Sequence, residues 1–251
     1  LTQHFHNVYA YCRWADDLGD ETGGGEEALR LLAWWRDELL RCYDGQPRHP
    51  VLVALQQTIR RFEIPAEPFL NLLTAFEQDQ RVKRYETYDQ LLGYCVNSAN
   101  PVGRIVLYLC ECFDVMRAQL ADLVCTGLQL ANFWQDVARD FDSGRVYLPA
   151  EDRRRFGYAD DDLDARRFTP AFAELMRFEV ERTRQLLVDG LALVPLVPRG
   201  VQMDIELFAR GGLAILHKIE LTGYDVWQTR PVLTKREKAS LMVSVIARSL
   251  M

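Results

Sequence analysis

The sequence lacks the features that mark several large classes of protein. Its 251 residues include no apolar run near the ~20 residues that a membrane-spanning helix needs, which argues against a transmembrane role. With 30 basic and 36 acidic residues the net charge is −6, whereas binding to nucleic acid needs a basic surface. Gly23, Gly24 and Gly25 follow a helical pattern rather than a strand, so a dinucleotide-binding fingerprint is also missing.

Strand-like alternation and repeats of fixed period are absent as well, and proline and glycine divide the sequence into helical stretches. We therefore predict an all-α protein, a single large helical bundle with a central cavity that forms one domain over residues 1–251. Because the helical pattern is already under way at Leu1, we expect further residues upstream. The predicted helices cover residues 1–20, 26–44, 49–62, 66–80, 87–97, 101–114, 117–141, 170–190, 200–222 and 235–250, and the longest predicted loop covers 144–168.

The cysteines and one pair of charged runs have simple structural interpretations. The six cysteines show no CxxC spacing and mostly fall in apolar helical stretches, which predicts buried, reduced thiols in a cytoplasmic protein. The basic run of residues 153–155 stands near the acidic run of residues 160–164. We interpret these two runs as an exposed loop held by salt bridges.

Two acidic clusters lie about 120 residues apart, each near the end of a predicted helix. Residues 16–21 (DDLGDE) precede the glycines at 23–25, and a second cluster with Asp136 and Asp140 precedes Gly144. The C-terminus of a helix already carries roughly half a negative charge, so each added carboxylate costs a few tenths of a kcal/mol to ~1 kcal/mol. We therefore expect positive charge between the clusters.

Helical spacing groups the polar residues of each cluster into a stripe. The first stripe comprises Tyr9, Arg13, Asp16 and Asp20. Beside it, at core-packing spacing, lie Phe5, Val8, Cys12 and Ala15. The second polar stripe comprises Gln129, Asn132, Asp136 and Asp140. We expect both polar stripes to face a cleft and each other.

The chemistry of these side chains favours one metal. Carboxylate and amide oxygens are hard ligands, and the stripes offer no histidine or cysteine arranged for zinc. Magnesium keeps several waters and is commonly held by a few carboxylates together with substrate phosphates. The sequence therefore predicts Mg²⁺ bound together with a diphosphate.

Four segments in consistent order resemble the squalene and phytoene synthases, which are head-to-head prenyl transferases of the isoprenoid (terpenoid) synthase fold. Residues 9–21 (YAYCRWADDLGDE) resemble the first aspartate-rich motif of that family, and residues 128–140 (LQLANFWQDVARD) resemble the second. Residues 144–149 (GRVYLP) resemble the loop that follows, and residues 94–103 (YCVNSANPVG) occupy the place of its Tyr-Cys element. The family's upstream diphosphate motif would precede Leu1.

The resemblance implies a role for each candidate site residue. Magnesium ligands are expected at Asp16, Asp20, Asn132, Asp136 and Asp140. Catalytic roles, in charge stabilisation and in guiding protons or water, are expected for Tyr9, Arg13, Tyr94, Asn100 and Tyr147. Contacts with the substrate are expected for Arg13, Gln129, Asn132, Gln135, Tyr224 and Arg230.

Two departures from the family pattern point to one branch of it. The arginine that usually precedes the first aspartate of the second motif is Gln135 here, and Asn100-Pro101 replaces small apolar residues. Both departures resemble the hydroxysqualene synthases of bacterial hopanoid biosynthesis. That resemblance implies ionisation of presqualene diphosphate and capture of the rearranged cation by water, without NADPH.

Other functions stay open from the sequence. Squalene, phytoene or presqualene diphosphate synthase would instead join two prenyl diphosphates such as farnesyl diphosphate. Non-catalytic assembly factors of this fold have lost motif carboxylates, whereas the four aspartates are all present here. Contact with the inner face of the membrane, for release of an apolar product, and contact with other pathway enzymes are further expectations.

Overall fold

The computed structural model describes residues 1–249, and they are helical almost throughout. No β-strand occurs among these residues, which contain one isolated bridge between Arg84 and Val146. The helices are α1 (Thr2–Asp20), α2 (Gly25–Tyr43), α3 (Pro50–Phe62), α4 (Glu67–Asp79), α5 (Tyr88–Ser98), α6 (Asn100–Leu109), α7 (Val115–Asp142), α8 (Ala150–Arg155), α9 (Asp160–Asp164), α10 (Pro170–Gly190), α11 (Arg199–Leu221) and α12 (Lys235–Ser249), with a 3₁₀ helix at Leu191–Leu196. The all-α prediction is confirmed. In the described part of the chain, no helix is both long enough and apolar enough to cross a bilayer.

All the predicted helices are present, with differences at three places. The predicted loop 144–168 contains the short helices α8 and α9, so that prediction was wrong in part. The helix predicted over 101–114 ends at Leu109, because a turn with Glu111 at a φ of 53° follows it. Residue 250 of the last predicted helix lies outside the described residues.

The chain forms two compact units. Unit 1 comprises residues 1–82 and 94–118, and unit 2 comprises residues 83–93 and 119–251. The prediction of one domain over 1–251 stays a prediction.

The core of unit 1 is apolar and aromatic. Tyr11, Trp35 and Phe69 are fully buried, with ring centroids 5.8 Å apart for Tyr11 and Trp35 and 5.1 Å for Tyr11 and Phe69. The Tyr11 hydroxyl donates a hydrogen bond to the Phe69 carbonyl at 3.1 Å, which satisfies the one polar atom of that ring. This packing fixes α1 against α4.

In unit 2, glycines bring α7, α10 and α11 close together. A Cβ atom at Gly127 or Gly212 would lie 2.7 Å or 2.9 Å from the Leu187 side chain, and one at Gly190 would lie 2.6 Å from that of Val124. Contacts this short do not occur between real Cβ atoms and their neighbours. The three helices can therefore pack at this distance only because these positions are glycine.

Two of the cysteines meet the expectation of burial. Cys42 and Cys95 are buried, whereas Cys12, Cys110, Cys112 and Cys125 are half-buried. None of the six cysteines, all of which lie in the described part of the chain, forms a disulfide bond. The prediction was therefore wrong about burial for four of them.

Candidate active site

The first acidic stripe lies at the end of α1, as predicted. Phe5, Val8 and Cys12 pack against the core of unit 1, and Ala15 is part of that core, so the packing stripe is confirmed. Asp16 and Asp20 lie in the last turns of the helix, where the carboxylates add to the negative end of the helix dipole.

Tyr9 begins the polar stripe and is 68% exposed. This exposure is unusual for a large aromatic side chain and would suit a group that meets a ligand. Its predicted catalytic role stays a prediction.

Arg13 is the cation of this stripe. Its guanidinium lies 3.1 Å from the Asp16 carboxylate, 2.6 Å from Asp17 and 3.3 Å from Glu21. Burial and the charge of Asp20 raise the pKa of Asp16, and Arg13 only partly offsets that rise. More negative charge is gathered here than one arginine balances.

The Gln80 side chain connects the end of α1 to the glycine turn at residues 23–25 by two hydrogen bonds. Nothing in the sequence indicated this role. Its Nε2 donates to the Gly19 carbonyl at 3.2 Å, and its Oε1 accepts from the Gly25 amide at 3.2 Å. The side chain therefore fixes the backbone on both sides of the first acidic cluster. No local pattern could have indicated this, because Gln80 follows α4 and is distant in sequence.

Tyr94 and Asn100 lie in unit 1 near the break between α5 and α6. The Tyr94 hydroxyl donates to Asp79 Oδ2 at 3.0 Å, so Asp79 is a second residue that sequence reasoning missed. Asn100 is 5% exposed and is the first residue of α6, next to Pro101. A buried amide at a helix start can direct hydrogen bonds that an apolar residue cannot.

The second acidic stripe lies on α7, in unit 2. The Asn132 amide donates to Asp136 Oδ2 at 3.0 Å. At Asp136 the helix is kinked, with φ −106° and ψ 15°, a change of direction that the regular spacing did not predict. Gln129 lies one turn earlier and is half-buried.

Arg230 lies against this stripe and joins two of its predicted members. Its Nη2 donates to Asp136 Oδ2 at 2.8 Å and to Gln135 Oε1 at 3.1 Å. The ion pair raises the pKa of Arg230, first through the hydrogen bond with Asp136. Gln135 is buried and also donates to the Pro231 carbonyl, so a cation lies beside Gln135 although the family's arginine is absent at that position.

Asp140 and Tyr147 line one small cavity of unit 2. Burial raises the pKa of Asp140 to about 7, Asp136 adds to the rise, and Arg145 and Arg230 oppose it. Tyr147 stacks on Phe133 with ring centroids 3.7 Å apart. The two arginines therefore do not offset the effect of burial and of Asp136 on the pKa of Asp140.

A larger cavity of about 430 Å³ lies beside α7 and α11. Its polar lining comes from Asn132, Gln135, Arg230 and Lys238. Its apolar lining comes from Leu128, Ala131, Leu207, Phe208, Ile215, Val232 and Leu233. The cavity thus combines charged and amide groups with a long apolar surface.

Tyr224 has different neighbours. The Arg177 guanidinium lies 5.7 Å from its ring centroid, and its backbone φ is 69°. The structure therefore places the ring of Tyr224 beside Arg177. Its predicted contact with substrate stays a prediction.

The predicted site residues thus gather into two groups. Tyr9, Arg13, Asp16, Asp20, Tyr94 and Asn100 belong to unit 1, and Gln129, Asn132, Gln135, Asp136, Asp140, Tyr147, Tyr224 and Arg230 belong to unit 2. Within residues 1–249, no three His, Cys, Asp or Glu side chains are grouped closely enough to hold a metal ion. The expectation that the two acidic stripes face each other stays a prediction.

Comparison with known proteins shows which family the chain resembles. Residues 1–237 match the squalene/phytoene synthase family. The chain is 35% identical over 235 residues to a phytoene synthase from Thermus thermophilus, covering 94% of this chain and 80% of that protein. It is 35% identical over 187 residues to a hydroxysqualene synthase from Rhodopseudomonas palustris, covering 74% of this chain and 63% of that protein.

A solved structure shows the same fold. The squalene synthase HpnC from Alicyclobacillus acidocaldarius superposes with a TM-score of 0.85 at 43% identity, covering 88% of this chain and 83% of that one. The predicted isoprenoid synthase fold is therefore confirmed. The chain belongs to the squalene/phytoene synthase family, the head-to-head prenyl transferases that use prenyl diphosphates.

Proposed function

We propose that this enzyme ionises presqualene diphosphate and captures the rearranged carbocation with water, releasing hydroxysqualene and diphosphate. The observation that carries the proposal is a pair of substitutions at buried positions. Gln135 stands where the family has arginine, and Asn100 places a buried amide at the start of α6. The likeness to the hydroxysqualene synthase of Rhodopseudomonas palustris supports the same branch.

The 430 Å³ cavity suits a diphosphate attached to an apolar chain. Arg230, Asn132 and Gln135 supply a guanidinium and two amides at one part of the lining, which can bind phosphate oxygens. The leucine, isoleucine and phenylalanine side chains elsewhere in the lining can hold a prenyl chain by apolar contact. A bound prenyl chain would displace water from this surface, which protects a carbocation until it has rearranged.

The carboxylates fit Mg²⁺ by their chemistry. Asp16, Asp20, Asp136 and Asp140 offer hard oxygen ligands, and Asn132 adds an amide oxygen. Burial first, and then the neighbouring carboxylate, raise the pKa of Asp16 and of Asp140, and a bound cation would offset both effects. When bound, magnesium would neutralise the diphosphate and make it a better leaving group.

The chain's own groups would control the cation and the water. Arg13 and Arg230 supply fixed positive charge for the departing diphosphate. The Asn100 amide can hold one water at a fixed point, and the hydroxyls of Tyr9, Tyr94 and Tyr147 can pass protons. The Tyr94 hydroxyl already donates to Asp79, which orients it.

A second candidate is the condensation of two prenyl diphosphates. Arg230 beside Gln135 supplies the cation whose absence would disfavour a second diphosphate. The phytoene synthase of Thermus thermophilus matches over 94% of this chain. Both observations favour a condensing enzyme, which would use farnesyl diphosphate or a longer homologue.

The product formed in ¹⁸O-labelled water separates these functions. We expect incubation with presqualene diphosphate and Mg²⁺, without NADPH, to yield a C30 alcohol that carries one labelled oxygen by mass spectrometry. An unlabelled product, or a hydrocarbon formed only with NADPH, would exclude water capture. Conversion of farnesyl diphosphate without any turnover of presqualene diphosphate would support the condensing function instead.

The role of Asn100 is tested in the same assay. Asn100→Gly should lower the alcohol yield and raise the share of other products, because the water loses its fixed position. An unchanged yield would remove the amide from the mechanism and leave the reaction itself standing.

A further inference from the structure

Unit 2 holds another cavity, of about 370 Å³, that is lined by three arginines. Arg84 precedes α5, and Arg153 and Arg154 belong to α8. This cavity shares no lining residue with the one that contains Arg230. Arg153 and Arg154 belong to the basic run of residues 153–155, which we interpreted from the sequence as part of an exposed loop held by salt bridges.

Arg153 is the buried member of this group. Its side chain is 7% exposed, and Nη1 donates to the Asp160 carboxylate. Its Nε is buried and has no hydrogen-bond partner. Buried donors of a charged group are almost always satisfied, and no protein acceptor lies within hydrogen-bond distance of this one.

The Asp160 carboxylate already lies where the three positive charges converge. The hydrogen bond and charge of Arg153 lower the pKa of Asp160, and Arg84 and Arg154 lower it further. An exposed carboxylate on a five-residue helix is thus the resident anion of the cavity. A mobile anion of higher charge could take the same place.

The remaining ion pairs are easily exchanged. Arg154 lies 3.3 Å from Glu86, and Arg84 lies 3.7 Å from Asp164, and more than half of each of these side chains is exposed. Exposed pairs of this kind contribute little to stability. Each guanidinium has five donors, far more than one carboxylate contact uses.

We propose that the cavity binds the phosphate group of a small anionic molecule, with Arg84, Arg153 and Arg154 as its ligands in place of Asp160. Arginine forks match phosphate oxygens in pairs, and a dianion outcompetes a single carboxylate. The volume falls within the range of ordinary small-molecule pockets, so it has room for an organic group as well. The proposal concerns a different cavity from the reaction and does not depend on the proposed function.

Calorimetric titration in EDTA, without Mg²⁺, tests the site apart from any metal-dependent diphosphate binding. The probes are inorganic phosphate and glycerol 3-phosphate, which separate a free phosphate from a phosphate ester. We expect saturable binding of one molecule, weakened at least fivefold by Arg84→Gln or Arg154→Gln. Arg30→Gln, at an exposed arginine that pairs with Glu27 at 2.5 Å, is the matched control and should change nothing.

A second variant removes the competing carboxylate and not an arginine, so that binding should become tighter instead of weaker. Asp160→Asn removes the resident carboxylate and should tighten phosphate binding several-fold, whereas Glu27→Gln makes the same charge change elsewhere and should not. Melting temperatures of all variants confirm that they are folded. No binding to the wild type at millimolar concentrations, equal weakening by Arg30→Gln, or unchanged binding in Asp160→Asn would each overturn the proposal.

Discussion

Asp136 and Asp140 are one helical turn apart, yet their surroundings differ. Arg230 contacts the Asp136 carboxylate, which is 12% exposed. Burial and the charge of Asp136 raise the pKa of Asp140, whereas Arg145 and Arg230 lower it. The effect of burial is the largest, so the pKa rises to about 7. The same substitution should therefore affect stability in opposite directions at the two positions.

Asp140→Asn should stabilise the metal-free protein at pH 8 by about 1–2 kcal/mol after allowance for solvent screening, and should have little effect at pH 4. The folded pKa lies above the unfolded value, so the wild type loses stability as pH rises from about 4 to about 7. Asparagine cannot ionise, so the variant does not lose stability in this pH range. Urea unfolding of both proteins in EDTA at pH 4, 6 and 8 measures the difference in their free energies of unfolding.

Asp136→Asn is the comparison, and it should destabilise by about 1 kcal/mol because Arg230 loses its ion pair. Equal effects of the two variants would contradict the environments described for them. Turnover should fall about 100-fold or more in both, and also in Asp16→Asn and Asp20→Asn, if these carboxylates serve the leaving diphosphate.

Gln80→Ala should lower turnover although Gln80 is expected to touch no substrate. Losing the hydrogen bonds to Gly19 and Gly25 frees the backbone beside Asp16 and Asp20 and should cost about 1 kcal/mol of stability. Steady-state kinetics and thermal melting measure the two effects. Gln185→Ala, at an exposed glutamine paired with Asp189 at 2.7 Å, should leave both unchanged. Normal kinetics in Gln80→Ala would show that these hydrogen bonds are not needed.

At the scale of elements, local periodicity predicted the long helices and the packing stripe of α1. It could not predict the kink at Asp136, because the spacing of apolar residues along α7 stays regular through the residue with non-helical backbone angles. It also missed α8 and α9, whose sequences are too short and too charged to show a helical period. Contacts between distant segments, such as Gln80 with Gly19, leave no local pattern at all.

The helix crossing in unit 2 gives an element-scale prediction. Gly190→Ala should destabilise the protein by about 1–3 kcal/mol, since the new methyl group would meet both the side chain and the backbone of Val124. Gly211→Ala on α11 has nothing within 4 Å and should be neutral or slightly stabilising. Chemical denaturation of the two variants compares them. A neutral Gly190→Ala would mean that α7 and α10 can separate without loss.

At the scale of the whole molecule, the proposed function needs a metal ion and a diphosphate bound together. Mg²⁺ and inorganic diphosphate should raise the melting temperature together far more than the sum of their separate shifts, because the metal completes its shell with phosphate oxygens. Thermal melting with each ligand alone and with both measures this. Additive or absent shifts would count against joint binding of metal and diphosphate, and turnover that survives EDTA would exclude the metal.

Helical spacing and motif order are local properties of a sequence. They could therefore group the aspartates of each stripe on one helix, but they could not predict the partners of those aspartates. That Arg230 contacts Asp136 and Gln135 depends on how the segment after α11 returns to α7, almost 100 residues earlier in the chain. Such long-range pairing is set by the folded core.

The glycine crossing of unit 2 also constrains how this sequence can change over evolutionary time. The Leu187 side chain meets the space above both Gly127 and Gly212, so three positions on three helices share one volume. A larger residue at Gly127 would need a smaller one at 187, and one at Gly212 would need smaller residues at both 128 and 187, so changes at these positions should be inherited together. Substitutions at these packed positions should therefore occur together during evolution. A glycine with open space beside it, such as Gly211, can be substituted alone without a steric clash.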